Sequence, residues 1–129
     1  MAYELTAEEI TQILRDDLGI DKNTNLLANV LLGTLGPVEG EADTIKHALL
    51  EAAGTLVMPA FTYQTQVIPQ IGPSDNAINY GTGDELNSRA DIFRPSLPVH
   101  PDIGLVAETF RSDPKTLRSV HPVLSFIAQ

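Results

Sequence analysis

Leu26-Leu27-Ala28-Asn29-Val30-Leu31-Leu32, then Asp43 to Ala53, then Thr55-Leu56-Val57-Met58 before Pro59, is the stretch on which the fold turns. The first and third pieces are short apolar runs bounded by turn residues, the pattern of buried strands. Between them Ile45, Leu49 and Ala52 recur on one helical face, and Gly54 supplies the stop. Gly33, Gly36, Pro37 and Gly40 make the close-turning link into that helix. Strand, helix, strand with a crossover of helical length is a βαβ unit, which implies parallel strands and a right-handed connection. The expectation is an α/β fold, layered α/β/α, with a mainly parallel sheet.

Working outward, Thr6 and Glu9 form a capping box. Ile10, Ile13, Leu14 and Leu18 follow at helical spacing, and Gly19 is placed to end the helix in the left-handed region. This predicts a helix over 6–18 with its apolar stripe in the core. Residues 21–24 read as a turn. From about 62 to 101 no periodicity holds. Pro69, Gly72, Pro73, Gly81, Gly83, Pro95, Pro98 and Pro101 break every candidate element, and such a segment in a compact unit is functional or poorly ordered. A helix over 103–111 is expected, with Asp102 as its N-cap, and a strand near 124–128.

At 129 residues the chain is expected to form one domain, 1–129, with its own core. No apolar run approaches the ~20 residues of a membrane helix, and Met1-Ala2-Tyr3-Glu4 has no basic start before an apolar stretch, so neither a span nor a leader is expected. The chain has no cysteine, which excludes disulfides and thiolate chemistry and fits a cytoplasmic setting. Seventeen acids against eight bases give a net charge of −9. That argues against nucleic acid as partner and favours a cationic one, unless the charge serves solubility alone. Residues 1–60 hold ten acids and three bases (−7), residues 61–129 seven and five (−2), so the negative excess belongs to the first part.

Candidate chemistry gathers in the second part. His47 reads as a solvated helix residue. His100 and His121 each precede a proline, which holds them extended. Either ring could act as a general base, or bond its own backbone. Glu108 can pair with Arg111 along a helix, or turn inward and orient His121 or meet Arg118. Arg111, Lys115 and Arg118 form a basic patch beside Ser112 and Ser119, suited to phosphate or serving to offset charge. His100, Asp102 and His121 match no standard ligand spacing, so no metal is expected. Phosphate loops, dinucleotide fingerprints and nucleophile elbows are absent from the sequence.

The runs Ala107-Glu108-Thr109-Phe110-Arg111 and Leu117-Arg118-Ser119-Val120-His121-Pro122-Val123-Leu124-Ser125-Phe126 resemble the signature of the aminoglycoside 3-N-acetyltransferase family. Gly54 to Tyr63 and Ala48 to Ala52 are similar to further stretches of it, in the family's order. The likeness is to the N-terminal half of that family's domain. It implies acetyl-coenzyme A as co-substrate and the 3-amino group of an aminoglycoside, or a similar amine, as acceptor. A general base would remove the amine proton while backbone donors hold the developing oxyanion. His121 corresponds to the family's His-Pro histidine, with Glu108 as its carboxylate support. Phe110, Arg111, Arg118, Ser119 and Phe126 would line or support the coenzyme channel. Asn29, Val30 and Leu31 stand where the family carries a His-Ser-Ser-Leu stretch against the pantetheine arm, so those polar contacts are gone. The glycine pair that normally follows is reduced to Gly40-Glu41, and the family's later half carries a further His-x-x-Glu motif. Beside an active acetyltransferase stand two alternatives. One is a non-catalytic, truncated member that binds coenzyme A or serves as a structural or self-associating domain. The other is a partial fold completed by another chain, which requires a large exposed apolar face.

Overall fold

The computed structural model describes residues 3–129; Met1 and Ala2, the start of the stretch read for a leader, lie outside the described residues. Helix α1 (Ala7–Gln12) opens on the expected capping box, Thr6 and Glu9 each bonding the other's backbone. It runs on as a π-helical turn over Ile13–Asp17 and ends where Gly19 takes φ +67°. The wider turn, in which Leu18 N–H reaches the Ile13 carbonyl, carries Leu18 off the apolar stripe. Ile10 and Leu14 therefore pack on the core while Ile13 and Leu18 face solvent.

Strand β1 (Asn25–Leu27), helix α2 (Glu41–Ala52) and strand β2 (Thr55–Pro59) form the βαβ unit, with β1 and β2 parallel in the register Leu26↔Leu56. The apolar run 26–32, read as a buried strand running into a loop, does so: β1 stops at Leu27, 28–31 are loop and Leu32–Thr34 a 3₁₀ turn. Gly54 closes the unit. A Cβ there would fall 2.1 Å from the Lys22 carbonyl oxygen, so the end of α2 and the turn before β1 meet backbone to backbone.

The rest of the sheet corrects the mainly parallel expectation. The order is β1-β2-β4-β3, with β3 at Leu117–Arg118 and β4 at Phe126–Ala128. Both β2/β4 and β4/β3 are antiparallel. The cause is local: β3 and β4 are joined by a short return through 119–125, too short for a parallel crossover. β4 then lies between its neighbour in sequence and β2. Of the expected layers, the helices are seen on one face of the sheet. Leu56, Met58 and Ile127 face a core shared with Ile45 and Leu49 of α2 and with Val106 and Phe110 of α4 (Leu105–Arg111), and α2 packs against both α1 and α4. On the opposite face Leu27, Leu117 and Phe126 stay exposed.

Residues 62–101 contain a 3₁₀ turn at Tyr63–Thr65 and a short helix α3 (Asp84–Arg89). The segment is held without regular ladders. Asn87 bonds the backbone of Ile68 in both directions, at 2.8 Å each, and Leu97 and Val99 are buried. Gly104, not Asp102, caps α4; Asp102 sits in a preceding 3₁₀ turn, Pro101–Ile103. No described helix is long and apolar enough to cross a membrane.

Gly54→Ala forces two backbones apart and is expected to cost about 1–3 kcal/mol, whereas Gly33→Ala, whose new methyl meets nothing within 4 Å, stays within about 1 kcal/mol of the parent. Denaturant unfolding of the two variants side by side checks this.

Candidate active site

The β2/β4 pairing continues past the strand ends. Ala60 N–H donates to the Ser125 carbonyl and Thr62 N–H to that of Val123, each at 2.9 Å. Residues 60–65 thus lie along 122–126, and the hydroxyls of Thr62 and Thr65 both donate to the Pro122 carbonyl, at 2.8 and 2.7 Å. The Pro122–Val123 peptide is pinned from one side. The His121 ring is pinned from the other, because its Nδ1 accepts from the backbone N–H of Val123 (3.1 Å) and Leu124 (2.8 Å). A neutral imidazole so bonded carries its hydrogen on Nε2.

A ribbon of rings borders this turn. Phe126 meets Phe61 edge to face at 5.4 Å, Phe61 lies 6.1 Å from Tyr63, and Tyr63 lies 5.3 Å from His100. His100 is tied through its own N–H to the Phe61 carbonyl at 2.9 Å. Its Nδ1 accepts from Asp102 N–H at 3.3 Å. Both proline-flanked histidines therefore bond nearby backbone, each through the same ring nitrogen. Among the described residues no group of three or more His, Asp or Glu is placed to hold a metal ion.

The arginines are engaged internally. Arg111 grips Glu108 with two hydrogen bonds, Nε to Oε2 at 2.8 Å and Nη2 to Oε1. Glu108 Oε2 also accepts from Val99 N–H at 2.9 Å. Partial burial works against ionising this carboxyl. The Arg111 and Val99 hydrogen bonds and the charges of Arg111 and Arg118 outweigh it and hold its pKa below the ordinary value. Arg118 donates to Ser125 Oγ (3.0 Å) and to the carbonyls of Ala60 (2.9 Å), Pro95 (3.0 Å) and Leu97. Its guanidinium lies 5.2 Å from the centre of the Phe93 ring. Burial lowers its pKa, and the Arg111 charge adds to that while Glu108 opposes it.

These contacts correct several expectations. Glu108 is not brought to His121; its oxygens go to Arg111 and Val99. Arg118, expected to contact phosphate, instead spends its donors on Ser125 and backbone carbonyls, and Arg111 turns its Nε and Nη2 to Glu108. Phe110 is fully buried in the core between α2 and the sheet, so it cannot line a channel. Ser119 and Phe126 remain at the surface, joined by a 2.8 Å bond from Phe126 N–H to Ser119 Oγ. Asn29, Val30 and Leu31 come together with Leu5, Ile10, Leu14 and Leu35 around an open, mostly apolar groove of about 320 Å³. Its floor abuts α4, since a Cβ on Gly104 would lie 3.2 Å from the Val30 carbonyl oxygen.

Sequence reasoning missed Phe61, Tyr63 and the two threonines. The available signal was alternation: beyond β2, a period of two puts Phe61 and Tyr63 on one side and Thr62 on the other. It also missed Arg118 as a clamp, whose carbonyl partners lie far away in sequence.

Because the folded-state pKa of Glu108 is the lower one, its stabilising contribution is complete above its ordinary value of 4.5 and drains away as pH falls through the folded-state value. Glu108→Gln should therefore lose less stability than the parent between about pH 6 and about pH 3, as read by urea unfolding. Arg118→Met leaves buried carbonyls without donors and should cost about 2–3 kcal/mol, measured in the same way at neutral pH.

The family model described as aminoglycoside 3-N-acetyltransferase matches residues 27–129. The SPbeta prophage-derived aminoglycoside N(3')-acetyltransferase-like protein YokD of Bacillus subtilis (strain 168) is 31% identical over 137 residues, covering 98% of this chain and 47% of that protein. Aminoglycoside N(3)-acetyltransferase III of a Salmonella species is 29% identical over 125 residues, covering 95% and 42%. The crystal structure of YokD superposes with a TM-score of 0.77 at 26% identity, covering 99% of this chain and 48% of that one. The structure of AAC-IIIb with CoASH superposes at 0.73 and 21% identity, covering 98% and 46%, which speaks to the fold. The chain spans about half the length of the curated relatives it matches. With a family match running from β1 through the His121 turn to Gln129, the chain belongs to the aminoglycoside 3-N-acetyltransferase family.

Proposed function

We propose that residues 1–129, acting as one folding unit in the cytoplasm, bind acetyl-coenzyme A and serve transfer of its acetyl group to the 3-amino group of an aminoglycoside or a similar amine. The observation that carries this reading is the family match over 27–129, because that span contains the 29–31 loop, both proline-flanked histidines and the ring ribbon. The net charge of −9 supports a polycationic acceptor by long-range attraction.

The groove at 29–35 fits part of the co-substrate. Its apolar walls with Asn29 and Thr34 at the rim suit a pantetheine arm, which is largely alkyl with two amides. Arg118 does not fit the phosphates, since nearly all its donors are committed, and Arg111 is held against Glu108 through Nε and Nη2. Acetyl-coenzyme A supplies the acetyl group as a thioester. His121 is the residue of this chain assigned to the acceptor. With Nδ1 held by two backbone donors, its Nε2–H orients the acceptor by donating to one of its hydroxyls, leaving the amine lone pair free to attack. Glu108 serves at one remove, fixing Arg111 and the Val99 backbone beside His100.

A specific observation favours a second reading, a non-catalytic coenzyme-binding or structural domain. The arginines are internal ties, and the 29–31 loop offers one polar side chain. The two readings part on turnover.

Calorimetric titration with millimolar acetyl-coenzyme A should show binding, and Leu35→Trp, which fills the groove, should weaken it about tenfold, or about 1.4 kcal/mol. Absence of both heat and a thermal shift in the parent chain would overturn the proposal. Where turnover is seen, His121→Ala should lower it about a hundredfold with acetyl-coenzyme A binding retained, and NMR of the product should place the acetyl group on the 3-amino nitrogen.

A further inference from the structure

The two N–H groups that meet the His121 ring belong to consecutive peptides, Pro122–Val123 and Val123–Leu124. The other end of each peptide is a carbonyl, and Thr62 donates to both. Its hydroxyl bonds the Pro122 oxygen at 2.8 Å, and its backbone N–H bonds the Val123 oxygen at 2.9 Å. One residue thus stands behind both donors to Nδ1. Thr65 adds a second hydroxyl, within 2.7 Å of the Pro122 carbonyl and 2.8 Å of the Thr62 carbonyl, and its single hydrogen serves one of them at a time.

This arrangement acts on the ring in two ways. A peptide is rigid from its oxygen to its hydrogen, so holding the carbonyl ends aims the Val123 and Leu124 N–H groups. A donor on a carbonyl also polarises the peptide and strengthens its N–H as a donor, more so where water is kept out. Thr62 is fully buried. A buried hydroxyl is costly unless it is bonded, and valine would fill the same space without that demand. The demand for the hydroxyl comes from the Pro122 carbonyl. His100, the other proline-flanked ring, supplies the contrast. Its Nδ1 accepts from one N–H, that of Asp102, at 3.3 Å, and the Pro101 carbonyl behind that donor takes a backbone bond from Gly104.

We infer that Thr62 is a positioning residue for His121: it holds two consecutive peptides so that both donate to Nδ1, which locks the ring in its Nε2–H form. The ring is exposed, and an exposed imidazole without such donors samples both tautomers and several rotamers. With them, one N–H points outward in a fixed direction. The use of that N–H on an acceptor hydroxyl rests on the function proposed above. The lock itself does not, and it is read without coenzyme or acceptor.

Nuclear magnetic resonance of the ¹⁵N-labelled 129-residue chain tests this. The parent should show His121 as the Nε2–H tautomer, with scalar coupling across both hydrogen bonds, from the Val123 and Leu124 amide nitrogens to Nδ1. Thr62→Val removes the hydroxyl and keeps the backbone N–H, so the Val123 coupling should weaken while the Leu124 coupling persists. Thr62→Ser should restore it. In the Thr62→Val, Thr65→Val double variant the Val123 coupling should be lost. A hydroxyl that served the core alone would not single out one of the two couplings. Where turnover is seen, the double variant should lower kcat about tenfold with the KM for acetyl-coenzyme A unchanged. Loss of the lock with kcat intact would remove His121 from the reaction while upholding Thr62 as its lock. An Nδ1–H tautomer in the parent, couplings unchanged in the double variant, or a Thr62→Ser variant as weak as Thr62→Val would each overturn the inference. Should the Thr62 variants fail to fold, Thr65→Val decides: its Val123 coupling should weaken, and an unchanged one overturns the inference.

Discussion

With contacts to Ala60, Pro95, Leu97 and Ser125, the Arg118 guanidinium ties the end of the β2/β4 ladder to residues 95–97, a stretch that no regular structure joins to it. Ala60 leaves the end of β2, residues 95–97 close the long irregular segment, and Ser125 leads into β4. Carbonyls in such places need donors, and burial makes an unpaired one costly. A guanidinium suits the task because it presents several fixed donors and keeps its charge despite burial. From this tie follow the seating of residues 95–97 and of the Phe93 ring against the β2/β4 ladder, and the arrangement in which both histidine turns are built.

The same tie explains why the site is less open to coenzyme phosphates than the positions of its arginines suggest. Arg111 and Arg118 stand next to the histidine turn, as a phosphate-binding pair would. Their geometry is directed inward, toward Glu108 and the backbone. What remains outward-facing is the ring ribbon Phe126–Phe61–Tyr63–His100, the Nε2 edge of His121, and the apolar groove by Leu31. These features suit recognition of an alkyl arm and orientation of an amine more than neutralisation of charge.

How much of this was legible in the sequence depends on distance along the chain. The capping box at Thr6 and Glu9, the left-handed Gly19, helix α2 and its flanking strands were all readable, because each rests on residues within a few positions of one another. The mixed sheet was not. β3 is two residues long and gives no periodic signal, and its reversal into β4 is a tertiary choice. Helix α3, six residues in a loop rich in breakers, left equally little trace. The family signature marked Arg118 and Glu108 as important without revealing how. Their partners at Ala60, Leu97 and Val99 are non-local, so spacing near them favoured simple pairing or a phosphate site.

The place of β4 in the sheet has a bearing on how the chain assembles. The βαβ unit can form early, since β1, α2 and β2 are close in sequence. Yet β2 then presents a bare edge until β4, far along the chain, arrives to pair with it and deliver Ile127 to the core. Contacts of such long separation slow folding and leave a strand edge unprotected in the meantime. During synthesis on a ribosome the first sixty residues therefore emerge well before the strand that pairs with the free edge of β2.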